Sequence, residues 1–250
     1  MHPGSIPGEA SKLPDCQTLT ASRTDWRWKV ETMGLDFQAQ RIKMVDGQLR
    51  TTDVTSHALL DAFLDIPREN FVPELKRNLA YLDADIEIAP GRFLVEASPF
   101  AKLLTLAEIL PGDNVLDVGC GSGYSSAILS KVAHSVVALD CDTELSAKTR
   151  ANIDGLGLLN VTVVTGDLDK GCAKSGPYDV IVLSGSVDKV PKAMLDQLKD
   201  GGRLVAVEST GHLGVARLYV KRGTDVSGRF GFNATIRSLP GFTKVTEFAF

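Results

Sequence analysis

Three closely spaced glycines follow an apolar run that contains an aspartate. Residues 115–124 read V-L-D-V-G-C-G-S-G-Y, which places Gly119, Gly121 and Gly123 two residues apart. Glycine adopts backbone conformations with positive φ, and its missing side chain lets backbone N–H groups approach a ligand at a helix N-terminus. The segment therefore predicts a strand, a ligand-binding turn and a helix. Its third glycine comes one position too early for a dinucleotide fingerprint, which favours a ligand without a pyrophosphate.

Two more aspartates follow the next two apolar runs. Asp140 comes about 20 residues after Gly119, the separation expected of a carboxylate that binds ribose hydroxyls. Asp167 could accept a hydrogen bond from an exocyclic adenine amino group. Taken singly, the glycines are typical of a turn and the aspartates of helix caps. Taken together, they predict an S-adenosylmethionine site, with a nicotinamide dehydrogenase as the less favoured alternative.

Alternating strand and helix patterns would bring these residues to one edge of a sheet. Short apolar, β-branched runs predict buried strands, and helical patterns fall between them. The predicted strands are 114–118, 135–139, 161–164, 180–183 and 203–207, and the predicted helices are 125–132, 144–156 and 192–198. This order predicts an α/β fold with a doubly wound, Rossmann-like, mostly parallel sheet. A Gly-Thr-Asp turn between the runs 216–221 and 230–238 predicts an antiparallel pair at the C-terminal edge.

The chain divides into three predicted parts. Residues 1–35 are rich in Pro, Ser, Thr and Gly without sustained periodicity, which predicts a loose N-terminal extension. Residues 36–110 form a mainly helical part of the catalytic domain, and residues 111–250 form the S-adenosylmethionine-binding core with its C-terminal hairpin. The patterns in the middle part predict helices at 37–49, 56–64 and 99–110 and a weak strand at 81–91.

Composition argues against several classes of function. The chain has 250 residues, 44% of them hydrophobic, which is enough to bury a sizeable core. Its net charge of −4, without basic runs, argues against a nucleic-acid partner. Because apolar runs of about 20 residues and the apolar core of a secretory signal are both missing, we expect no membrane partner and a cytoplasmic location. The four cysteines show neither CxxC spacing nor a Cys/His cluster, so we expect no metal site.

Several motifs resemble, in order, those of the protein-L-isoaspartate O-methyltransferases. Before the glycine loop these are M-V-D-G-Q-L-R at 44–50, I-P-R-E-N-F-V-P at 66–73 and A-Y-L-D at 80–83. After it come G-D at 166–167, P-Y-D-V-I at 177–181 and L-K-D-G-G-R-L-V at 198–205. The stretches before the loop are more specific than the loop itself, which many methyltransferases share.

The resemblance implies the cofactor, its contacts and the substrate. The cofactor would be S-adenosyl-L-methionine, with S-adenosyl-L-homocysteine as its product. The substrate would be the side-chain carboxylate formed when Asn or Asp isomerises in an ageing protein, so we expect a peptide or protein partner. The cofactor contacts, taken with their neighbours in the same loops, are Asp117, Gly119, Cys120, Gly121, Gly123, Tyr124, Asp140, Cys141, Asp167 and Leu168.

Methylation of a carboxylate needs no catalytic acid or base. A carboxylate with a pKa near ~4 is already ionised at pH 7, so orientation and desolvation suffice for its attack on a sulfonium methyl. We therefore assign no catalytic residue. We expect His57, His134 and His212 to be surface or structural residues.

The segment expected to hold the acceptor departs from the family. The family has a G-Q-T-I-S-Q-P loop whose hydroxyls and backbone hold the substrate carboxylate. Aligned without gaps from Pro111, this chain reads G-R-F-L-V-E-A at 91–97, with Phe93 for Thr, Val95 for Ser and Glu96 for Gln. The lost donors and the added carboxylate predict weak activity on isoaspartyl peptides. The candidate substrate-loop residues, including the replacement donors, are Arg92, Phe93, Val95, Glu96 and Ser98.

The sequence leaves three functions open. The first is an isoaspartyl repair enzyme in which Arg92, Ser98 or backbone amides replace the missing hydroxyls. The second is a methyltransferase of the same lineage with another acceptor, less anionic or more apolar, which would suit Phe93 and Val95. The third is a non-catalytic module that binds S-adenosylmethionine to sense it or to support a partner. The sequence does not indicate the oligomeric state.

Overall fold

A seven-stranded sheet lies at the centre of the part of the chain that the structure describes. The structure is a computed structural model and describes Met1, residues 36–209 and residues 213–242, so the predicted extension lies outside the described residues except for Met1. The strands are β1 (Ile86–Ala89), β2 (Arg92–Leu94), β3 (Asn114–Val118), β4 (Ser135–Asp140), β5 (Val161–Thr165), β6 (Tyr178–Val187), β7 (Leu198–Ser209), β8 (Gly214–Arg222) and β9 (Asp225–Asn233). The α-helices are α1 (Phe37–Met44), α2 (His57–Asp65), α3 (Ala97–Ala107), α4 (Tyr124–Val132), α5 (Thr143–Gly155) and α6 (Lys192–Asp196).

The strand order of the main sheet is β5-β4-β3-β6-β7-β8-β9. Strands β3 to β7 are parallel to one another, and β8 and β9 are antiparallel additions. The chain runs outward from β3 to β5 and then returns to place β6 on the other side of β3. In open sheets of this kind, ligands bind outside the carboxyl ends of the strands at such a reversal. The predicted Rossmann-like fold class is confirmed.

Successive residues of the central strands pack alternately into two hydrophobic cores, one on each face of the sheet. Val115 and Val180 belong to the core that also contains apolar side chains of α2 to α5. Leu116 and Ile181 belong to the core that contains Met194 of α6. This alternation follows from the two-residue period of a strand, whose successive side chains point to opposite faces. Residues from Phe37 onward accordingly form one compact unit.

A short β-hairpin precedes α3. Strand β1 lies within the predicted weak strand 81–91. Strand β2 falls in the segment predicted as the substrate loop, since three residues are too few to show a period. The strands pair antiparallel with Ile86 opposite Leu94. The turn between them uses Gly91, whose φ of +68° is a conformation that favours glycine. The hairpin brings the predicted substrate loop back toward the main sheet.

The second strand of the C-terminal pair differs from its prediction. The predicted strand 230–238 is wrong in its bounds, because β9 begins directly after a two-residue turn with Arg222 opposite Asp225. Residues 225–230 are all exposed at the sheet edge. An exposed edge strand has no buried face, so its sequence carries no alternation of polar and apolar residues. The segment after it returns to β6, where Ser238 bridges Ser186 in parallel.

The helices near the N-terminus also shift by a few residues. The predicted helix 37–49 is α1 followed by a π-helical turn at Val45–Leu49. The predicted helix 99–110 is α3, which begins earlier and ends where Glu108 adopts φ +50°. Within the described residues, no helix has both the length and the apolar character needed to cross a bilayer.

Candidate functional site

The glycine loop makes a sharp turn between β3 and α4. Gly119, Gly121 and Gly123 have φ of +81°, +60° and +95°. A Cβ at Gly121 would lie 2.8 Å from Cδ1 of Ile88, and one at Gly123 would lie 2.8 Å from Cγ2 of Thr149. The loop therefore needs glycine both for its conformation and for the space that its neighbours leave.

Gly123→Ala is expected to lower the free energy of unfolding by about 1 to 3 kcal/mol, because alanine is strained at this φ and its methyl group would contact Thr149. Urea denaturation measures the change. Gly155→Ala is the control, since a Cβ added there meets nothing within 4 Å. An unchanged stability of Gly123→Ala would contradict the strained geometry of the loop.

Asp117 supports the glycine loop from inside the protein. It is fully buried, and Oδ2 accepts hydrogen bonds from the hydroxyls of Ser125 and Ser126 at 2.6 Å each. Oδ1 accepts one from Ser184 at 2.6 Å. Burial raises the pKa of Asp117, and the three hydroxyls oppose this shift. The carboxylate thus ties the start of α4 to β6, and no motif in the sequence indicates these serine partners.

Asp140 lies at the end of β4 and is fully buried. The backbone N–H of Gly121 donates to Oδ2 at 2.8 Å, and that of Asp142 donates to Oδ1 at 3.0 Å. Arg92 adds a bidentate pair, with Nη1 to Oδ1 at 2.7 Å and Nη2 to Oδ2 at 2.6 Å. Burial lowers the pKa of Arg92, but its hydrogen bonds to Asp140 and the charge there raise it overall. Arg92, which was predicted to belong to the substrate loop, therefore pairs with Asp140, the carboxylate predicted to bind the ribose hydroxyls.

The other predicted cofactor residues range from buried to exposed. Cys120, Tyr124 and Leu168 are buried, whereas Cys141 is exposed. The Asp167 side chain is 62% exposed and accepts a hydrogen bond from Nζ of Lys170 at 2.5 Å. The turn before it is held to β4, because the Gly166 N–H donates to the carbonyl oxygen of Asp140 at 2.9 Å. The ends of β3, β4 and β5 thus share one edge of the sheet.

The substrate loop lies against the glycine loop. Phe93 and Val95 line a cavity of about 20 Å³ together with Gly119, Tyr124 and other residues of both loops. The guanidinium carbon of Arg237 lies 5.0 Å from the centroid of the Phe93 ring, which is a cation–π contact. The structure therefore brings the predicted acceptor residues and the predicted cofactor residues to the same crevice.

Ser98, one of the two side chains expected to replace the missing hydroxyls, already has a hydrogen-bond partner outside the substrate loop. It is buried in the first turn of α3, and its hydroxyl donates to Oγ1 of Thr52 at 3.1 Å. Thr52 in turn donates to the carbonyl oxygen of Gln48 at 2.8 Å. This chain of hydrogen bonds fixes Ser98 to the helical N-terminal part, which leaves Arg92 as the charged donor of the loop.

Glu96 sits among acidic neighbours. Burial, a hydrogen bond with Asp83 and the charges of Asp83 and Asp85 together raise its pKa to about 7, and the charge of Arg68 opposes this shift. The Glu96 N–H donates to Oδ1 of Asp85 at 2.8 Å. Near neutral pH the side chain is therefore only partly ionised, so the added charge expected from the sequence is reduced.

The side chain of Arg68 connects the motifs that precede the glycine loop in the sequence to the residues around that loop. The side chain is fully buried, with Nε donating to the Ala80 carbonyl oxygen at 2.8 Å and Nη2 donating to that of Val95 at 2.7 Å. Its guanidinium carbon lies 4.8 Å from the centroid of the Tyr124 ring. One arginine thus joins the P-R-E motif, the A-Y-L-D motif, the substrate loop and the start of α4. The motif itself was the available signal, but the sequence suggested no role for the arginine.

The described histidines stand apart from the crevice network. His57 and His134 are exposed, as expected of surface residues, and His212 lies outside the described residues. The described ranges also contain no group of three His, Cys, Asp or Glu side chains placed to hold a metal ion. The candidate site consists of the glycine loop, Asp140 and the substrate loop.

These residues fit the adenosine part of S-adenosylmethionine. The positive-φ glycines keep the loop free of side chains, so backbone groups can face a ligand closely. Asp140 offers a carboxylate at the position where vicinal hydroxyls are bound in related folds. Asp167 provides a second, exposed carboxylate at the neighbouring strand end.

Comparison with known proteins identifies relatives over most of the chain. The sequence model of the protein-L-isoaspartate(D-aspartate) O-methyltransferase (PCMT) family matches residues 39–229. A protein-L-isoaspartate O-methyltransferase of Koribacter versatilis (strain Ellin345) is 37% identical over 169 residues, which are 68% of this chain and 76% of that protein. One of Desulfotalea psychrophila (strain LSv54 / DSM 12343) is 34% identical over 190 residues, 76% of this chain and 89% of that protein.

Solved structures agree with the sequence comparison. A protein-L-isoaspartate O-methyltransferase structure matches with a TM-score of 0.70 and 27% identity, covering 80% of this chain and 66% of that one. A Plasmodium falciparum structure, named as a beta-aspartate methyltransferase (PCMT) in complex with S-adenosyl-L-homocysteine, has a TM-score of 0.67 and covers 81% of this chain and 97% of that one. Its 18% identity supports the fold alone. Of the three functions left open by the sequence, the names of the relatives favour the isoaspartyl methyltransferase. The chain belongs to the protein-L-isoaspartate(D-aspartate) O-methyltransferase family.

Proposed function

We propose that this chain methylates the side-chain carboxylate of isoaspartyl residues in peptides or proteins, with S-adenosylmethionine as the methyl donor. One observation carries the proposal. The substrate loop at 91–97 lies directly on the glycine loop, and Arg92 of the substrate loop is hydrogen-bonded to Asp140 beside the glycine loop. Groups suited to an acceptor carboxylate and groups suited to adenosine thus meet in one crevice.

Asp140 and the backbone of the glycine loop would hold the ribose, and Asp167 would hold the adenine amino group. When bound, the cofactor supplies an electrophilic methyl group on a positively charged sulfur. The chain's own residues orient the acceptor and exclude water, for which the apolar side chains of Phe93, Val95 and Phe100 line the crevice. Since the acceptor carboxylate is ionised at neutral pH, no residue has to remove a proton.

Transfer of a labelled methyl group to a synthetic isoaspartyl peptide tests the proposal. The control is the peptide of the same sequence with an ordinary aspartyl residue, which differs only in the position of the carboxylate. We expect base-labile label on the isoaspartyl peptide alone. Labelling of both peptides to the same extent, or of neither, would contradict the proposed acceptor. A role in protein repair and a cytoplasmic location stay predictions.

Activity is expected to fall as the pH rises through about 7, the value to which burial, aided by Asp83, raises the pKa of Glu96. Below this pH the side chain is neutral. Above it, the ionised side chain repels the acceptor carboxylate by about 1 kcal/mol at an effective dielectric constant of ~20, which lowers kcat/KM about fivefold.

The pH profile of kcat/KM with an isoaspartyl peptide, measured from pH 6 to pH 8.5 in steps of about 0.5 pH units, shows the effect directly. Glu96→Gln should lose this fall, because it stays neutral throughout. Glu74→Gln, at an exposed position before the hairpin, should keep it. A decline of the same size in Glu96→Gln would show that another group titrates.

A further inference from the structure

The carboxylate of Asp140 has no acceptor position to spare. A carboxylate offers about four lone-pair sites, and Asp140 receives four hydrogen bonds, two on each oxygen. Two of the donors are the backbone N–H groups of Gly121 and Asp142, which are fixed by the turns that contain them. The other two belong to the side chain of Arg92. Two ribose hydroxyls therefore reach the carboxylate only by replacing the arginine, which they match in number of donors.

The hairpin that carries Arg92 also covers the crevice. Ile88 of β1 packs so closely on the glycine loop that a Cβ at Gly121 would lie 2.8 Å from its Cδ1. The cavity between the hairpin and the loop is about 20 Å³. Pockets that enclose small ligands measure roughly 300 to 1,000 Å³, so a nucleoside needs the hairpin to move outward. Such a movement separates Arg92 from Asp140.

We propose that Arg92 is a positioning residue with two successive partners: it pairs with Asp140 until ribose hydroxyls replace it, and it then pairs with the acceptor carboxylate. This inference rests on the proposed function, because the second partner is the isoaspartyl side chain. Arg92 opposes cofactor binding while it is paired with Asp140 and promotes acceptor binding once it is released, so each ligand favours the binding of the other.

The second partner follows from the chemistry of the guanidinium. Its planar fork matches a carboxylate through two parallel hydrogen bonds, which is the geometry it already adopts with Asp140. Once released, it carries a full positive charge on the loop that lacks hydroxyls at Phe93 and Val95. Of the described donors of this loop, the Ser98 hydroxyl is already bonded to Thr52. A carboxylate acceptor thus gains from Arg92 the contacts that the substituted positions no longer provide.

Calorimetric titration with S-adenosyl-L-homocysteine tests the first half, because it measures binding without turnover. Arg92→Met keeps the length of the side chain and removes its charge. It should bind S-adenosyl-L-homocysteine about tenfold more tightly than the unmodified protein, as expected if the pair is formed in about nine molecules out of ten. Arg92→Lys, whose ammonium cannot satisfy both oxygens, should tighten binding to a smaller degree and serves if Arg92→Met does not fold.

Arg229→Met is the matched control, since Arg229 is exposed on β9 at the opposite edge of the sheet from β5. Its affinity should equal that of the unmodified protein. Unchanged or weaker binding by both Arg92 variants would overturn the inference. If the unmodified protein fails to bind S-adenosyl-L-homocysteine at all, it is the proposed function that fails instead.

Titration with an isoaspartyl peptide tests the second half. The unmodified protein should bind the peptide up to about tenfold more tightly with S-adenosyl-L-homocysteine present. The two ligands are coupled reciprocally through Arg92, and release of a pair formed in about nine molecules out of ten raises the competent fraction tenfold at most. Arg92→Met should lose most of this affinity while it still binds S-adenosyl-L-homocysteine. Equal peptide affinity with and without S-adenosyl-L-homocysteine would overturn the ordered use of Arg92.

Discussion

Asp140→Ala is expected to lower the free energy of unfolding by about 3 to 5 kcal/mol, the range for removing one partner of a buried ion pair. The substitution leaves the guanidinium of Arg92 without its carboxylate, and that side chain is only 9% exposed. It also leaves the N–H of Gly121 without its acceptor in the turn. The loss of stability therefore comes mainly from buried hydrogen-bond donors that are left without an acceptor, and less from the missing contact itself.

The same substitution should weaken binding of S-adenosyl-L-homocysteine by about 1.5 to 3 kcal/mol, because a charged acceptor for ribose is lost. Urea denaturation and calorimetry measure the two effects separately. Asp113→Ala is the control, since Asp113 also pairs with an arginine, Arg203, at 2.6 Å, and its side chain is 9% exposed. It should lose stability and keep its cofactor affinity.

The double variant Asp140→Ala/Arg92→Met separates the two contributions further. It should be more stable than Asp140→Ala alone, because no unpaired charge remains inside the protein. Its affinity for S-adenosyl-L-homocysteine should stay low, since the ribose still lacks its acceptor. If Asp140→Ala folds and binds S-adenosyl-L-homocysteine with normal affinity, the ribose hydroxyls bind elsewhere. The assignment of Asp140, at the end of β4, as their acceptor would then be wrong.

The fold could be predicted where buried elements have a recognisable pattern of apolar residues in the sequence. Strand β3 matches its predicted bounds because it is buried from Val115 onward and carries three apolar residues directly before the glycine turn. The bounds of strand β9 differ from the prediction because its first six residues are all exposed and carry no alternation of polar and apolar residues. Strand β2 was missed because its existence depends on pairing with β1 across Gly91 rather than on its own three residues.

The site could be predicted only as far as spacing along the chain determines it. The glycines and Asp140 follow from the order of strands and turns, because parallel strands end at one edge of the sheet. The pairing of Arg92 with Asp140 joins residues 48 positions apart through a hairpin that the sequence did not reveal. The hydroxyl of Ser184 reaches Asp117 across 67 positions for the same kind of reason. Side-chain partners of this sort depend on the folded geometry and leave no local signal.

Restoring the usual donors of the substrate loop is expected to produce the largest gain in activity. Phe93→Thr, Val95→Ser and Glu96→Gln together should raise kcat/KM for isoaspartyl peptides by about tenfold to a hundredfold, which corresponds to about 1.4 to 2.7 kcal/mol of transition-state stabilisation. This is a modest part of the ~7 to 11 kcal/mol that positioning can supply. The affinity for S-adenosyl-L-homocysteine should not change, because the substitutions leave Asp140 and the glycine loop, the groups assigned to ribose, in place.

The three substitutions act on different features of the loop. Phe93→Thr replaces a ring that lies under Arg237 by a hydroxyl donor, and Val95→Ser adds a second donor at a buried position that lines the crevice. Glu96→Gln removes a group whose pKa of about 7 leaves it partly ionised at neutral pH. The expected gain should therefore grow between pH 6.5 and pH 8, where the unmodified protein acquires charge at Glu96.

Steady-state methyl transfer to an isoaspartyl peptide measures the gain, with Phe230→Thr, Val226→Ser and Glu74→Gln as a control set of the same residue types at exposed positions. The control set should behave like the unmodified protein. In the restored loop, Arg92→Met should cost less activity than in the unmodified loop, because two hydroxyls then share the acceptor carboxylate with the guanidinium. If the unmodified protein already turns over isoaspartyl peptides within about tenfold of an enzyme with the usual loop, the hydroxyls contribute little here. Arg92 would then account for acceptor binding on its own, and its removal should abolish turnover in both backgrounds.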